Sequence, residues 1–224
     1  MQKRRYIYEL SSSGVDGFVA NERWLRQQVR TGRICRKCKW LRLDRVDELE
    51  AVHVIRTYSQ AHWNVLLPDP PPIHVGFVSG LAAGIVLSNR LLRLFGGAND
   101  RYHRLPVMDY TGHRYAFTYL IEKQQSGSVR KSGGLPPWIC SACDRLHYVQ
   151  DGAKYMLDLY WPPKTRFKVD DFGVFVDPNL YEREIKPKRL SRLTSKKIRL
   201  AAQSSDGYPA DLDAMRLKIL EEDA

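Results

Sequence analysis

Ile34-Cys35-Arg36-Lys37-Cys38-Lys39 and Trp138-Ile139-Cys140-Ser141-Ala142-Cys143-Asp144 decide how this chain is organised. Two residues between cysteines let a tight turn aim both thiolates at one ion about 2.3 Å away, and two such turns complete a tetrahedron. All four cysteines of the chain belong to the two turns, and each pair follows apolar residues, as a strand leading into a knuckle does. Lys39 and Asp144 stand where knuckles often carry glycine, a position that favours positive φ. About a hundred residues separate the pairs, so one ion would staple distant segments together. Thiolate donors point to zinc, and four of them leave no open position for water, so Cys35, Cys38, Cys140 and Cys143 predict one structural zinc ion. The competing readings are redox-active CxxC pairs, separate ions completed by a histidine such as His147, and inert buried thiols. No thioredoxin-like βαβ pattern surrounds either pair.

Outward from the knuckles the pattern is α+β: mixed sheets with short helices, the two CxxC knuckles joined by the ion. Asn21 to Arg30 predicts a helix, with Asn21 as cap, Gly32 as stop and Trp24, Leu25 and Val29 as its apolar stripe. Arg114 to Glu122 carries the clearest strand signal: Tyr115, Phe117, Tyr119 and Ile121 share one face, Arg114, Thr118 and Glu122 the other. Val52 to Tyr58 and Trp63 to Leu67 are strand-like and end at the breaker Pro68 to Pro72, while Gln124 to Pro137 reads as a loop. A weak internal repeat aligns Gly84–Leu92 with Gly173–Tyr181. Each copy is a short strand, a capping side chain (Ser88, Asp177) and a helix. Residues 1–200 therefore read as one stapled domain, with two similar halves at about 34–122 and 138–190. Residues 201–224 read as a polar linker and an amphipathic helix carrying Leu212, Met215, Ile219 and Leu220.

A hydrophobic content of 43% with 27% charged residues excludes a disordered tail or a coiled coil as the main story. Thirty-six Lys and Arg against 25 Asp and Glu give a net +11, which argues for an anionic partner. Residues 1–45 hold twelve cations against four acids, and residues 183–199 hold eight against Glu184 alone. Arg33, Arg36, Lys37, Lys39, Arg183, Lys186, Lys188, Arg189, Arg192, Lys196 and Lys197 are the candidates for an acidic partner or for nucleic-acid phosphates. The plainer reading is a solvated basic face. No HExxH or kinase-type constellation accompanies the scattered histidines or Asp170-Asp171-Phe172-Gly173. Asp100, Arg101, His103, Arg104 and Asp109 are the weakest suggestion of an acid–base cluster, and no catalytic residue is assigned.

The basic start, Met1 to Leu10, leads into Ser11-Ser12-Ser13-Gly14 without a signal-peptide core. The most apolar stretch, Val75 to Leu87, holds three glycines and falls short of the roughly 20 residues a spanning helix needs. A cytoplasmic protein without a membrane span is expected, in which four cysteines serve a metal rather than disulfides.

Two distant CxxC pairs in a chain of this size resemble the double-CXXCG proteins and their relatives among immunity proteins of bacterial polymorphic toxin systems. Val86-Leu87-Ser88-Asn89-Arg90-Leu91-Leu92, then Leu105-Pro106-Val107 and Tyr115 to Leu120, are similar to a run in such families. The resemblance covers about residues 34–181. It implies a small cytoplasmic protein that binds and blocks one toxin domain and has no chemistry of its own. The alternative expectation is a zinc-containing nucleic-acid-binding protein that uses the patches at 1–45 and 183–199, with affinity falling steeply with salt.

Overall fold

The computed structural model describes residues 6–12, 17–57, 59–60, 63–64, 73–81, 84–96, 100–123, 128–131, 138–143, 146–147, 156–159, 166–170 and 173–199. The breaker at 68–72 and the segment 201–224 lie outside them. In chain order the first elements are β1 (Tyr6–Ser12), β2 (Gly17–Ala20), α1 (Glu22–Arg30), a 3-10 turn (Leu43–Glu48), β3 (Val52–Thr57), β4 (Ser59–Gln60), β5 (Trp63–Asn64), β6 (Val75–Gly76), β7 (Val78–Ser79), β8 (Ile85–Ser88) and α2 (Asn89–Leu94). Next come β9 (Tyr102–Met108), β10 (Arg114–Glu122), β11 (Ser128–Lys131), β12 (Trp138–Ile139), β13 (Leu146–His147), β14 (Met156–Leu159), β15 (Phe167–Asp170) and β16 (Gly173–Val176). The short helix α3 (Pro178–Leu180) runs on through π and 3-10 turns to Lys188, and β17 (Leu193–Arg199) follows. The class is mixed α+β with short helices, as expected. Among the described residues no helix is long and apolar enough to cross a membrane.

One sheet runs β6-β8-β10-β9-β3-β2-β7. Its two edge strands are consecutive in the chain, with only Phe77 between them, so Val75–Ser79 closes the sheet into a barrel of six strands. Val75 and Gly76 pair antiparallel with β8, while Val78 and Ser79 run parallel to β2. Alternation then sorts every side chain. Phe18, Val54, Val78, Val86, Leu105, Val107, Phe117, Tyr119 and Ile121 form one buried cluster that fills the interior, joined by Trp24 of α1. A small barrel has room only for side chains, and here they occupy it. The opposite faces of β8 and β10 are apolar too: Ile85, Leu87 and Leu120 belong to a second cluster.

That second cluster is covered by an antiparallel sheet of order β15-β16-β1-β17, which contributes Leu10, Phe167, Val169, Val174 and Val176. The two sheets are pinned by polar contacts: Tyr102 Oη accepts from the Val169 N–H at 3.0 Å, and Ser12 Oγ accepts from the N–H groups of His74 and Val75. Both expected strand-cap-helix units are present. Ser88 Oγ accepts from Leu91 N–H at 3.1 Å, and Asp177 accepts from Asn179 and Leu180, with Pro178 at the first helical position. The expected loop at 124–137 is corrected in part. Ser128–Lys131 is a strand paired antiparallel with Met156–Leu159, a partner too distant in sequence for local pattern to reveal.

His74, buried beside the barrel seam, bonds through Nδ1 to Ser88 Oγ at 2.8 Å while its carbonyl accepts from Ser88 N–H. Burial and then the Arg90 charge hold its pKa below the ordinary 6.5, so the folded protein favours the neutral ring. Between the folded and unfolded pKa values the unfolded chain binds more protons, so stability is present above about pH 6.5 and is lost as pH falls below it. Replacing His74 by Gln should flatten that acid limb in urea titrations between pH 7 and 5. Gly84 tests the barrel itself. A Cβ there would lie 2.6 Å from the Tyr119 ring and 2.7 Å from the Leu120 carbonyl oxygen. Gly84→Ala should cost about 3 kcal/mol, whereas Gly96→Ala, at φ 78° with nothing within 4 Å, should cost only about 1 kcal/mol of backbone strain. Equal urea midpoints for the two variants would contradict the close approach at the seam.

Candidate metal centre

The first knuckle is aimed by the helix before it. Asn21 caps α1 by accepting from Trp24 N–H, and Gly32, at φ 74°, turns the chain out of the helix. The Gln28 carbonyl then accepts from both Arg33 and Ile34 N–H, at 2.9 and 3.2 Å. Ile34 and Leu41 form a single antiparallel bridge, and both are buried in the barrel cluster. Between them Cys35 N–H donates to Trp40 O at 2.8 Å, and Lys39 N–H donates to Cys35 O at 2.9 Å. Lys39 lies at φ 62°, so the turn needs the left-handed conformation although lysine occupies it. The second knuckle is a hairpin: β12 pairs antiparallel with β13, and Cys143 N–H donates to Cys140 O at 3.2 Å.

The two turns meet. Cys35 Sγ lies 3.7 Å from Cys140 Sγ, and Cys38 Sγ lies 3.6 Å from Cys143 Sγ. All four sulfurs fall within 4.8 Å of one another, and all are free thiols. A tetrahedron with metal–sulfur bonds of about 2.3 Å has edges of about 3.8 Å, whereas a disulfide would bring sulfurs to about 2.05 Å. The spacing therefore fits four ligands around one ion, not two covalent bridges. Cys35 and Cys140 are buried, Cys38 and Cys143 half-buried. A second tie crosses the junction, Lys37 Nζ donating to Ser141 Oγ at 2.8 Å.

The thiols differ electrostatically. Burial opposes ionisation of Cys35, but the N–H groups of Cys38 and Lys37 and the neighbouring sulfurs outweigh it and bring the thiol down to about 7. Burial pushes Cys38 up. Hydrogen bonding and attraction to Asp44 raise Arg42, and the Cys143 thiolate adds to the effect, so charge at the knuckle is felt on the flanking cations.

The remaining candidates fall into two groups. Around the first knuckle, Arg36, Lys37 and Lys39 are exposed, and Arg33 bonds Glu48 at 3.2 Å, which Arg45 also grips. At the other group, Arg183, Lys186, Lys188, Arg189 and Arg192 lie on the turns after α3, and Lys196 and Lys197 on β17; all are exposed. Lys186 bonds Glu182 at 2.7 Å, and Lys197 Nζ sits 3.7 Å from the centre of the Tyr6 ring. Arg189 and Arg192 lie at φ 43° and 62°. With Lys39 they are the three non-glycine residues at positive φ among the described residues, and all three are cations.

The suggested acid–base cluster disperses into structural pairs. Arg101 bonds Glu122 at 2.7 Å, His103 Nδ1 faces Asp47 at 2.8 Å, and Asp109 closes a turn on Thr111 and His113. Sequence reasoning missed a tyrosine ladder. Tyr6 and Tyr8 meet edge to face at 5.7 Å, and Tyr8 lies against Tyr181 at 4.0 Å. The Tyr6-x-Tyr8 alternation was its one visible signal. No family model, curated protein or solved structure matches the chain.

Lys39→Gly should stabilise the chain by about 0.5–1 kcal/mol, because glycine adopts the left-handed region without steric cost. The check is chemical denaturation with the metal content held equal. A loss of stability would show that the lysine side chain matters more to the turn than its backbone.

Proposed function

We propose that the chain is a zinc-stapled, non-enzymatic binding protein that neutralises a cognate toxin domain in the cytoplasm by covering it. The observation that carries the first part is the set of sulfur–sulfur distances at tetrahedral spacing between segments far apart in sequence. Soft thiolate donors in that geometry suit zinc. Zinc held there by Cys35, Cys38, Cys140 and Cys143 supplies cross-linking alone, because a closed four-thiolate shell leaves no site for water. Apparent binding energies of about 10–16 kcal/mol for structural zinc match or exceed the whole stability of a typical domain. Zinc with four thiolates carries a net charge of −2, and Arg36, Lys37, Lys39 and Arg42 lie in or beside the first knuckle in sequence. These knuckle cations therefore have a local task, balancing the cluster.

The partner class rests on the resemblance to immunity proteins, and two surface features support it. Val19 and Ile55 face each other across β2 and β3, and with Phe77 at the seam they leave apolar side chains exposed on the barrel's outer wall. These side chains would offer a partner an apolar contact. The net +11 would speed approach to an acidic face.

Purified chain should carry one zinc per molecule by elemental analysis, with its four thiols slow to react with a thiol reagent until a chelator is added. Acidification should release the metal as protons compete for the thiolates, and Cys140→Ser should lose the metal and lower the melting temperature. Four freely titratable thiols in metal-free, fully folded protein would refute the staple. The partner is tested by co-elution with toxin-domain proteins encoded beside the chain, and Phe77→Asp should weaken that complex at least tenfold. Failure of every such pair to co-elute would remove the toxin reading and leave the zinc reading standing.

A further inference from the structure

We infer that the turn Lys186–Arg192 and the adjoining strand β17 form a binding surface for the phosphodiester backbone of single-stranded nucleic acid, with Tyr6 as a stacking platform at its edge. The inference goes beyond toxin binding and uses none of the knuckle residues. Three independent observations converge on it. Arg189 keeps a cationic side chain at a left-handed backbone position where glycine fits without strain. An outlier of this kind points to a task for the side chain. At Lys39 the thiolate cluster provides that task, but no thiolate lies on the Lys186–Arg192 turn.

Charge is the second observation. Residues 183–199 carry eight cations, and the acids beside them are already engaged. Glu182 accepts from Tyr8 Oη and Lys186 Nζ, at 2.6 and 2.7 Å, and Glu184 pairs with Arg166. A surplus of cations therefore remains on this surface, and Lys188, Arg189 and Lys197 are exposed within it, while Lys196 opposes Glu9 on the other face of the sheet. The third is the aromatic ladder. β1 and β17 pair so that Tyr8 opposes Lys197, and the half-buried Tyr6 and Tyr8 share that face of the sheet with it. The Tyr6 ring already accepts a cation on one face, Lys197 Nζ, and a base can stack on an aromatic surface whatever its identity. A stacked duplex hides its bases from such rings. The combination of cations and rings fits a single strand.

The test uses the full-length, metal-loaded chain with fluorescein-labelled dT20 and rU20, a 20-base-pair duplex and poly-glutamate, read by anisotropy from low to near-physiological salt. Both single strands should bind at near-physiological salt, more tightly than the duplex, with a linear log–log salt dependence. Arg189→Gly and Arg192→Gly relieve backbone strain, so their melting temperatures should stay level or rise. Each should nonetheless weaken dT20 binding severalfold and reduce the salt slope by about one. Tyr6→Leu should weaken single-strand binding at least about fivefold and leave the salt slope unchanged. Three results overturn the proposal: binding confined to low salt, poly-glutamate binding as tightly as dT20, or glycine variants whose affinity and slope match the parent chain.

Discussion

The structure depends on the closure of one sheet by Val75–Ser79. A strand that pairs with β8 through two residues and with β2 through the next two must bend at Phe77, and neither pairing alone buries enough to hold. What holds it is the interior. Gly76 lets Phe18 approach the backbone, Gly84 makes room for Tyr119, and the Phe18 and Phe117 rings meet edge to face at 5.2 Å. Once closed, the barrel has an inside for one cluster and a flank on which the second cluster rests. Each of β8 and β10 therefore carries apolar side chains on both faces, the signature of a strand buried between two layers.

The thiol site is subordinate to this frame and extends it. Ile34 and Leu41 root the first knuckle in the barrel cluster, so the position of Cys35 and Cys38 is set by packing before any ion arrives. The second knuckle is a short hairpin with few residues of its own to bury, and a two-stranded ribbon is marginal in water. Coordination would therefore be worth most to the second knuckle, since an ion held there would tie a weakly supported hairpin to a well-supported turn 105 residues earlier in the chain.

Much of this was legible where the signal is local. The capped helix at Asn21–Arg30, the strand at Arg114–Glu122, the caps Ser88 and Asp177 and the four cysteines all announce themselves within ten residues of sequence. Closure did not, because β6 and β7 are two residues each and their partners lie both before and after them in the chain. The Ser128–Lys131 pairing failed for the same reason, being defined by Met156–Leu159. The positive φ at Lys39 was half legible. The turn type demanded it, but the residue present gave no sign, since the usual marker is glycine. The His74–Ser88 contact joins two residues with unremarkable neighbours, and only the barrel's curvature brings them together.

The two basic clusters looked alike as charge counts and differ as physical objects. Near the knuckle, Arg36, Lys37, Lys39 and Arg42 lie within a few residues of the paired cysteines, and Arg42 is held mainly by Asp44. A metal–thiolate cluster there would call for such cations without any external anion. Around the far strand the cations outnumber the acids: Glu182 and Glu184 are each bonded within the fold, and Glu9 opposes Lys196 across the β1–β17 pair. Net charge is thus a sum of a compensated part and an uncompensated part, and only the second says anything about what the protein meets. Strain sharpens the division, since a backbone held at positive φ by arginine on an otherwise relaxed turn persists against the easier alternative of glycine.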